Sequence, residues 1–247
     1  MLTPRAPTPG VPHITVTSYN VNLDRYDDPD TVAAVGASDA DIIALQEVNG
    51  PWREVLRATY HDRYPFMAFE GEASGGLAVL SKHPFEDLGV LTGFEGWHPA
   101  WHVVVDSPLG PLQLLQVHLR PPYSRRDGVT SLLEVDETHL KEIRGFSATC
   151  ADDIPTLVVG DFNEGVDGAA VGFLEDLGYL NALPAFRPGA ETWRYEKSLY
   201  GQAVDTLDHI LFETNTLDPL NAYVKYIGNS DHYPVTVVLE PVPADAP

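Results

Sequence analysis

A single cysteine, Cys150, in 247 residues has no partner for an internal disulfide and cannot build a structural zinc site without many histidines beside it. An apolar core must therefore hold the chain together, and Cys150 reads as a small apolar filler near a helix end. Lysine and arginine are also scarce, 15 against 36 acidic side chains, which gives a formal charge of -21 at pH 7. Tight non-specific binding to nucleic acid relies on basic side chains that release counterions from phosphates, and this composition argues against it. It does not exclude a polyanionic substrate, because carboxylates that hold divalent cations become part of a phosphate site. No apolar run reaches membrane-spanning length, and Met1 to Pro12 lacks the apolar stretch of a signal peptide. The expectation is a cytoplasmic protein without a membrane span and with no obligate protein partner. Glycine (20) and proline (21) stay below the share that marks low complexity.

With 44 % apolar residues, the length fits one large α/β domain. The proline-rich ends, residues 1–12 and 241–247, read as flexible tails around a single domain over 13–240, and no interior segment has linker composition. Apolar patterning predicts strands at His13–Asn20, Ile42–Val48, Gly76–Ser81, Trp101–Val105, Leu112–Leu119, Thr156–Gly160, Leu207–Phe212, Ala222–Ile227 and Tyr233–Leu239. Asp106 to Gly110 reads as a hairpin turn, and helices are predicted near Asp27–Asp30, at Pro51–Tyr60 and over Ser131–Cys150. Strands outnumber helices too heavily for a strict βαβ repeat, so two packed sheets with helices outside are expected.

Several of these strands end in polar groups: Asn20, Glu47, His118, the turn Gly160-Asp161-Phe162-Asn163, and Ser230-Asp231-His232. Alone, an Asn at a strand end is usually a turn former and a Glu after an apolar run is usually surface. Together they supply the carboxylate and amide oxygens that magnesium takes, with water and substrate completing its octahedron.

At these positions the sequence resembles the endonuclease/exonuclease/phosphatase superfamily of metal-dependent phosphoesterases. The likeness lies in Tyr19-Asn20, Leu45-Gln46-Glu47-Val48, Gly76 to Lys82, Gln116-Val117-His118-Leu119, Gly160 to Asn163, Leu207 to Leu211 and Ser230-Asp231-His232, in the family's order. The resemblance implies a four-layered α/β/β/α sandwich of two mixed sheets flanked by helices. It implies a hydrolase in which an activated water attacks a phosphodiester or phosphomonoester in line, with Mg2+ or Mn2+ as cofactor. Glu47, with Asn20 and Asp231, resembles the metal ligands. Asp161 and Asn163 resemble the pair that orients the water and a phosphate oxygen. His232 resembles the histidine that deprotonates the water or binds the phosphate, with Asp208 as its partner and Asp205 as a fallback.

His118 separates branches. Abasic-site endonucleases of this family usually carry tyrosine there, whereas deoxyribonuclease-like and phosphatase branches carry histidine, which can protonate a leaving oxygen or bind phosphate. The deoxyribonuclease branch pairs it with a glutamate where this chain has Ser74-Gly75-Gly76, a departure from that pattern. Arg120, with Arg125 and Arg126, concentrates basic charge after His118, and Arg120 is the candidate phosphate clamp. Trp193 reads as packing and His209 as structural, pointing away from Asp208. His13, His61, His83, His98, His102 and His139 show no metal spacing. Alternatives are a nuclease acting on DNA or RNA and a non-catalytic binding protein that retains the fold; a phosphorylated small molecule is the favoured substrate class over nucleic acid.

Overall fold

The structure, a computed structural model, describes residues 1–93, 98–124, 128–129, 132–198 and 201–243. Strands β1 (Ile14–Asn20), β2 (Ile42–Gln46), β3 (Phe66–Glu70) and β4 (Leu77–Ser81) join β15 (Leu217–Val224) and β16 (Val235–Pro241) in a 6-stranded sheet of order β15-β16-β1-β2-β4-β3. A second 6-stranded sheet, order β11-β14-β10-β7-β6-β5, is built from β5 (Phe85–Leu91), β6 (Ala100–Ser107), β7 (Gly110–His118), β10 (Thr156–Asp161), β11 (Tyr179–Asn181) and β14 (Asp208–Glu213). Two hairpins stand apart: β8 (Tyr123–Ser124) with β9 (Gly128–Val129), and β12 (Trp193–Ser198) with β13 (Gly201–Asp205). The helices are α1 (Pro29–Val35), α2 (Gly50–Tyr60), α3 (Leu132–Ser147), α4 (Ala169–Asp176) and α5 (Ala182–Phe186).

Alternation along the strands explains the layers. In β2, Ile42 and Ala44 enter the core between the sheets, while Ile43 and Leu45 enter a second core with Trp52, Leu56 and Tyr60 of α2. In the second sheet Leu157 and Val159 face inward, while Val158, with Leu115 and Leu211, meets Ile143 and Phe146 of α3 and Val171 and Leu174 of α4. Strands buried on both faces read as continuous apolar runs, which is why β2 and β10 stand out in the sequence. The result is the expected four-layered α/β/β/α sandwich. Helix starts follow local chemistry: the side chains of Asp28 and Asn49 accept from the backbone N–H groups of Thr31 and Trp52, capping α1 and α2.

Each sheet contains one parallel pair near its middle, β1 with β2 and β7 with β10, whereas the other pairs within the sheets are antiparallel. In register, Asn20 lies opposite Gln46, and Asp161 lies between His118 and Asp208. Gln116 Nε2 donates to the Leu45 carbonyl at 2.6 Å, tying the sheets together just behind these tips.

The structure has more elements than the apolar pattern predicts. β3 and β5 lie at sheet edges and keep mixed, partly exposed sequences, which hides them from a search for apolar runs. β11, β12, β13, α4 and α5 are also additional, and the run expected over Ala222–Ile227 starts earlier, at Leu217, and ends at Val224. Residues 1–12 hold no helix or strand, yet Leu2 N–H donates to the Ala185 carbonyl at 2.7 Å and Arg5 Nη1 lies 2.6 Å from Glu240 Oε1. Arg125 and Arg126 lie outside the described residues.

Candidate functional site

Strand parity sends the tip residues to one place. Asn20 shares the inward face of β1 with Ile14 and Val16; His118 follows Leu112 and Leu114 of β7; Asp161 follows Leu157 and Val159; Asp208 precedes Ile210 and Phe212. All four side chains enter the space between the sheets at the same edge. Asp161 is its hub. One oxygen, Oδ2, accepts from Asn20 Nδ2 at 3.0 Å and lies 3.6 Å from both His118 Nε2 and His232 Nε2. The other oxygen accepts the Asn163 N–H at 2.9 Å. At 3.6 Å neither histidine makes a direct hydrogen bond to Asp161, so both Nε2 atoms face the same gap.

Asn20 Nδ2 also donates to Glu47 Oε1 at 3.2 Å, and Glu47 Oε2 accepts the Leu23 N–H at 3.0 Å. By parity alone Glu47 would point to the helix side. Instead its backbone turns left-handed, with φ +62, and ends the strand there. A non-glycine residue in that conformation is uncommon and marks strain held at a site. Asn163 (φ +50) and Asn22 (φ +60) share the conformation. Asn22 Nδ2 donates to Asp231 Oδ1 at 2.7 Å, bringing Asp231 to the same rim.

His232 Nδ1 lies 2.9 Å from Asp208 Oδ2, and both side chains are buried. Burial alone would discharge His232, but Asp208, Asp161 and Asp231 reverse this and hold its pKa up to about 10. Burial also raises Asp208, whose Oδ1 is buried with no hydrogen-bond partner among the described residues. Asp161 goes the other way: burial opposes ionisation, yet His232, His118 and the Asn20 amide hold it below the usual carboxylate range. Asp208, not the fallback Asp205, faces His232; the exposed Asp205 instead accepts the Thr206 N–H at 2.7 Å. Asp161, Asp208 and His232 form a buried group of ligand-type atoms within 4.8 Å of one another. Because His232 Nδ1 already bonds Asp208, this trio fits a proton-holding arrangement better than a cation cage.

Asn163 Nδ2 donates to the Leu119 carbonyl at 3.0 Å, leaving its second N–H and Oδ1 for other partners. Arg120 stands directly after this loop and its carbonyl meets His139 Nε2 at 2.6 Å. His209 faces the opposite side of its strand from Asp208, with Nε2 on the Glu164 carbonyl at 3.0 Å and Nδ1 by Asn181 at 2.9 Å. Trp193 lies opposite His232 in an isolated antiparallel bridge, so the two side chains share a face at the site's edge.

Two neighbours of the site have no role assigned by the sequence: Ser230, named there only as part of the Ser230-Asp231-His232 motif, and His98. Ser230 Oγ donates to the Asn20 carbonyl at 2.8 Å and accepts the His232 N–H at 3.1 Å, joining β1 to the loop that carries His232. His98 covers His118 with ring centroids 4.0 Å apart, and burial together with the His118 charge pushes it down to about 3. Ser74 Oγ lies 3.2 Å from His98 Nε2, so the segment that departs from the deoxyribonuclease pattern reaches His98. The β6–β7 turn was the available signal: its register sets Trp101 opposite Gln116, and two further residues along bring the chain around His98 to His118.

No curated protein matches the chain significantly. Solved structures share the fold at low identity. A protein of Beutenbergia cavernae DSM 12333, described as an endonuclease/exonuclease/phosphatase, aligns with TM-score 0.71 and 19% identity over 93% of this chain and 72% of its own. D. rerio TDP2, complexed with single-strand DNA product, gives 0.69 and 14% over 92% and 98%. Beta toxin 275-280 from Staphylococcus aureus gives 0.67 and 15% over 91% and 99%. The profile of the Endonuclease/Exonuclease/phosphatase family matches residues 17–232, spanning every strand tip described above, and the chain belongs to that family.

Proposed function

We propose that this protein is a divalent-metal-dependent phosphoesterase whose favoured substrate is a small phosphodiester or phosphomonoester. The observation that carries this reading is the convergence of His118 Nε2 and His232 Nε2, each 3.6 Å from the same Asp161 oxygen. That gap is lined by one hydrogen-bond acceptor and two imidazole nitrogens, the inventory needed to orient a water, bind a phosphoryl oxygen and protonate a leaving oxygen.

The donor set fits a hard divalent cation. Glu47 is partly exposed at the rim, with the Asn20 amide against it and Asp231 held nearby by Asn22. Hard oxygens and few protein ligands suit Mg2+, which keeps several waters, and Mn2+ accepts the same donors. Glu47, Asn20 and Asp231 are the residues that would hold it. Such an ion supplies Lewis-acid neutralisation of charge building on phosphoryl oxygens.

The chain's own groups do the rest. Asp161 accepts a hydrogen bond from the attacking water, and Asn163, fixed beside it, helps aim that water. Between the two roles that the sequence leaves open for His232, deprotonating water or binding phosphate, its three acidic neighbours support the second, as an imidazolium donating from Nε2. Asp208 accepts the Nδ1 proton and fixes the ring's orientation. As the new P–O bond forms and the bond to the leaving oxygen breaks, the attacking water passes a proton to Asp161, and His118, on the other side of that carboxylate, gives its own proton to the leaving oxygen. Arg120 is the candidate contact to a phosphate oxygen beyond the reacting centre.

The charge of -21 disfavours a long polyanion and supports a small substrate. Nucleic acid is the second reading, favoured by the single-strand DNA product bound in the fold neighbour TDP2. Hydrolysis of bis(4-nitrophenyl) phosphate and 4-nitrophenyl phosphate, compared with nicking of supercoiled plasmid, tests both. Turnover of the small esters that needs Mg2+ and stops with chelator is expected. Turnover indifferent to chelator, or an absence of hydrolysis, overturns the reading, and plasmid nicking as the dominant activity moves the substrate to nucleic acid.

A further inference from the structure

His139 and Glu164 are a buried ionisable pair that this chemistry leaves unused. His139, on α3, is 0 % exposed, and Glu164, in the loop after β10, is 7 % exposed. They lie Nδ1 to Oε2 at 2.9 Å. The opposite ring nitrogen, Nε2, meets the Arg120 carbonyl at 2.6 Å. A carbonyl can only accept, so Nε2 carries a proton. Glu164 Oε1 accepts the Val171 N–H at 2.8 Å in the first turn of α4, where partial positive charge favours a carboxylate. With Glu164 ionised, Nδ1 must donate as well. Burial by itself would lower His139, but Glu164, the Arg120 carbonyl and Glu142 more than reverse it and raise it above the ordinary histidine range.

The pair's position gives it a consequence. Arg120 is two residues beyond His118, and Glu164 directly follows Asn163. Three further bonds run between the same loops or anchor them: Leu119 N–H to the Asp161 carbonyl at 2.9 Å, Asn163 Nδ2 to the Leu119 carbonyl at 3.0 Å, and His209 Nε2 to the Glu164 carbonyl at 3.0 Å. Gly168 makes room for the fold-back, since a Cβ there would stand 2.3 Å from Glu164 Cδ. We propose that His139 and Glu164 are a buried positioning pair that clamps the loop after β7 to the loop after β10, and so sets the spacing of His118 from Asp161 and Asn163.

The inference rests on the phosphoesterase reading for its kinetic consequence, and its structural consequence is measurable without turnover. Three variants are compared with the wild type: His139→Phe, which fills the site without polar atoms; His139→Gln, which keeps a donor for the Arg120 carbonyl; and Glu164→Gln, which keeps an acceptor for Val171. Ring signals of 15N-histidine NMR and steady-state kinetics on bis(4-nitrophenyl) phosphate are read on each. In the wild type, both His139 ring protons exchange slowly. In folded His139→Phe and Glu164→Gln, the His118 and His232 ring signals move and kcat falls by roughly 10- to 100-fold, the scale of a small misplacement of reacting groups. KM stays within about threefold, because the pair touches no substrate, and His139→Gln falls between wild type and His139→Phe. Should His139→Phe fail to fold, the near-isosteric Glu164→Gln carries the test. Unmoved His118 and His232 signals, or unchanged kcat in a folded variant, overturn the proposal. If the wild type hydrolyses no phosphoester, the functional reading fails while the ring signals still decide whether the clamp exists.

Discussion

The two sheets bring unlike halves to one site. The first sheet brings the wet groups: Glu47 is partly exposed on a left-handed turn and Asp231 is held at the rim by Asn22, whereas Asn20 and His232 from the same sheet are buried. The second sheet's tips are dry: His118, Asp161 and Asp208 are 3 %, 1 % and 0 % exposed. A hydrated cation can enter from solvent only where some donors stay wet, whereas proton placement is sharpest where water is excluded and charges are unscreened. The halves meet at Asn20, whose Nδ2 donates both to Glu47 and to Asp161. On the proposed function, this division would put the cation at the rim and the proton work in the interior, and each prediction strikes one side of it.

The largest effect is expected on the dry side. Asp161→Asn keeps the shape but removes the charge that faces both histidines, and we expect a fall in kcat of about 1,000-fold with Mg2+ affinity changed far less. Titration calorimetry with Mg2+ beside kinetics on bis(4-nitrophenyl) phosphate measures both; equal losses in metal affinity and turnover would erase the division. The buried interior, which His232 enters from the first sheet, predicts a pH dependence. With His232 held up to about 10, the imidazolium is the form present at neutral pH, so kcat should fall as pH rises toward that value. Stability has the matching sign. A raised folded-state pKa contributes stability that is complete below the unfolded value of about 6.5 and is lost as pH rises through the folded one. Melting temperature in chelator should therefore drop between neutral pH and about 10.

Backbone geometry comes next. Gly160, with φ +147, brings β10 so close to β7 that a Cβ would stand 1.8 Å from the Val117 carbonyl oxygen. That oxygen is backbone and cannot swing aside. Gly160→Ala should lower unfolding free energy by about 2–4 kcal/mol, the scale of a forced clash in a packed strand pair, read by urea titration. A loss below about 1 kcal/mol would mean that the second sheet's site edge yields easily, against the rigidity assigned to it.

On the wet side, Glu47→Gln should weaken Mg2+ binding by roughly 10- to 100-fold and regain part of its turnover when Mg2+ is raised. Excess metal should not rescue Asp161→Asn. If it does, both carboxylates belong to one cation site.

Much of this was legible in the sequence because strand parity is legible. Once Leu157 and Val159 are recognised as inward residues, Asp161 must point inward, and the same count turns Asp208 in and His209 out. Glu47 escapes the count, since nothing in Leu45-Gln46-Glu47-Val48 announces a left-handed backbone; its place at the end of an apolar run and the family likeness, not parity, put it with the other tips. No role for Ser230 or His98 is legible, for a different reason. The role of Ser230 depends on which strands neighbour one another, and a single sequence gives local period but not sheet order; His98 lies past the last paired residue of the β6–β7 hairpin, so the hairpin points towards it without fixing its contact. The edge strands β3 and β5 carry the same limit, as half-exposed segments with too little apolar contrast.

His98 supplies the smallest expected effect and the finest test of the dry half. Its ring covers His118 and is backed by Ser74, so it shapes the pocket around His118. His98→Phe preserves a flat ring there and should change kcat by less than about threefold, while His98→Ala opens a gap beside His118 and should lower it by roughly threefold to tenfold. Ser74→Ala should resemble the phenylalanine variant, because it removes one hydrogen bond and leaves the ring in place. If Ser74→Ala instead matches His98→Ala, the hydroxyl and not the ring contact fixes His118, and polar anchoring rather than packing holds the second sheet's half of the site.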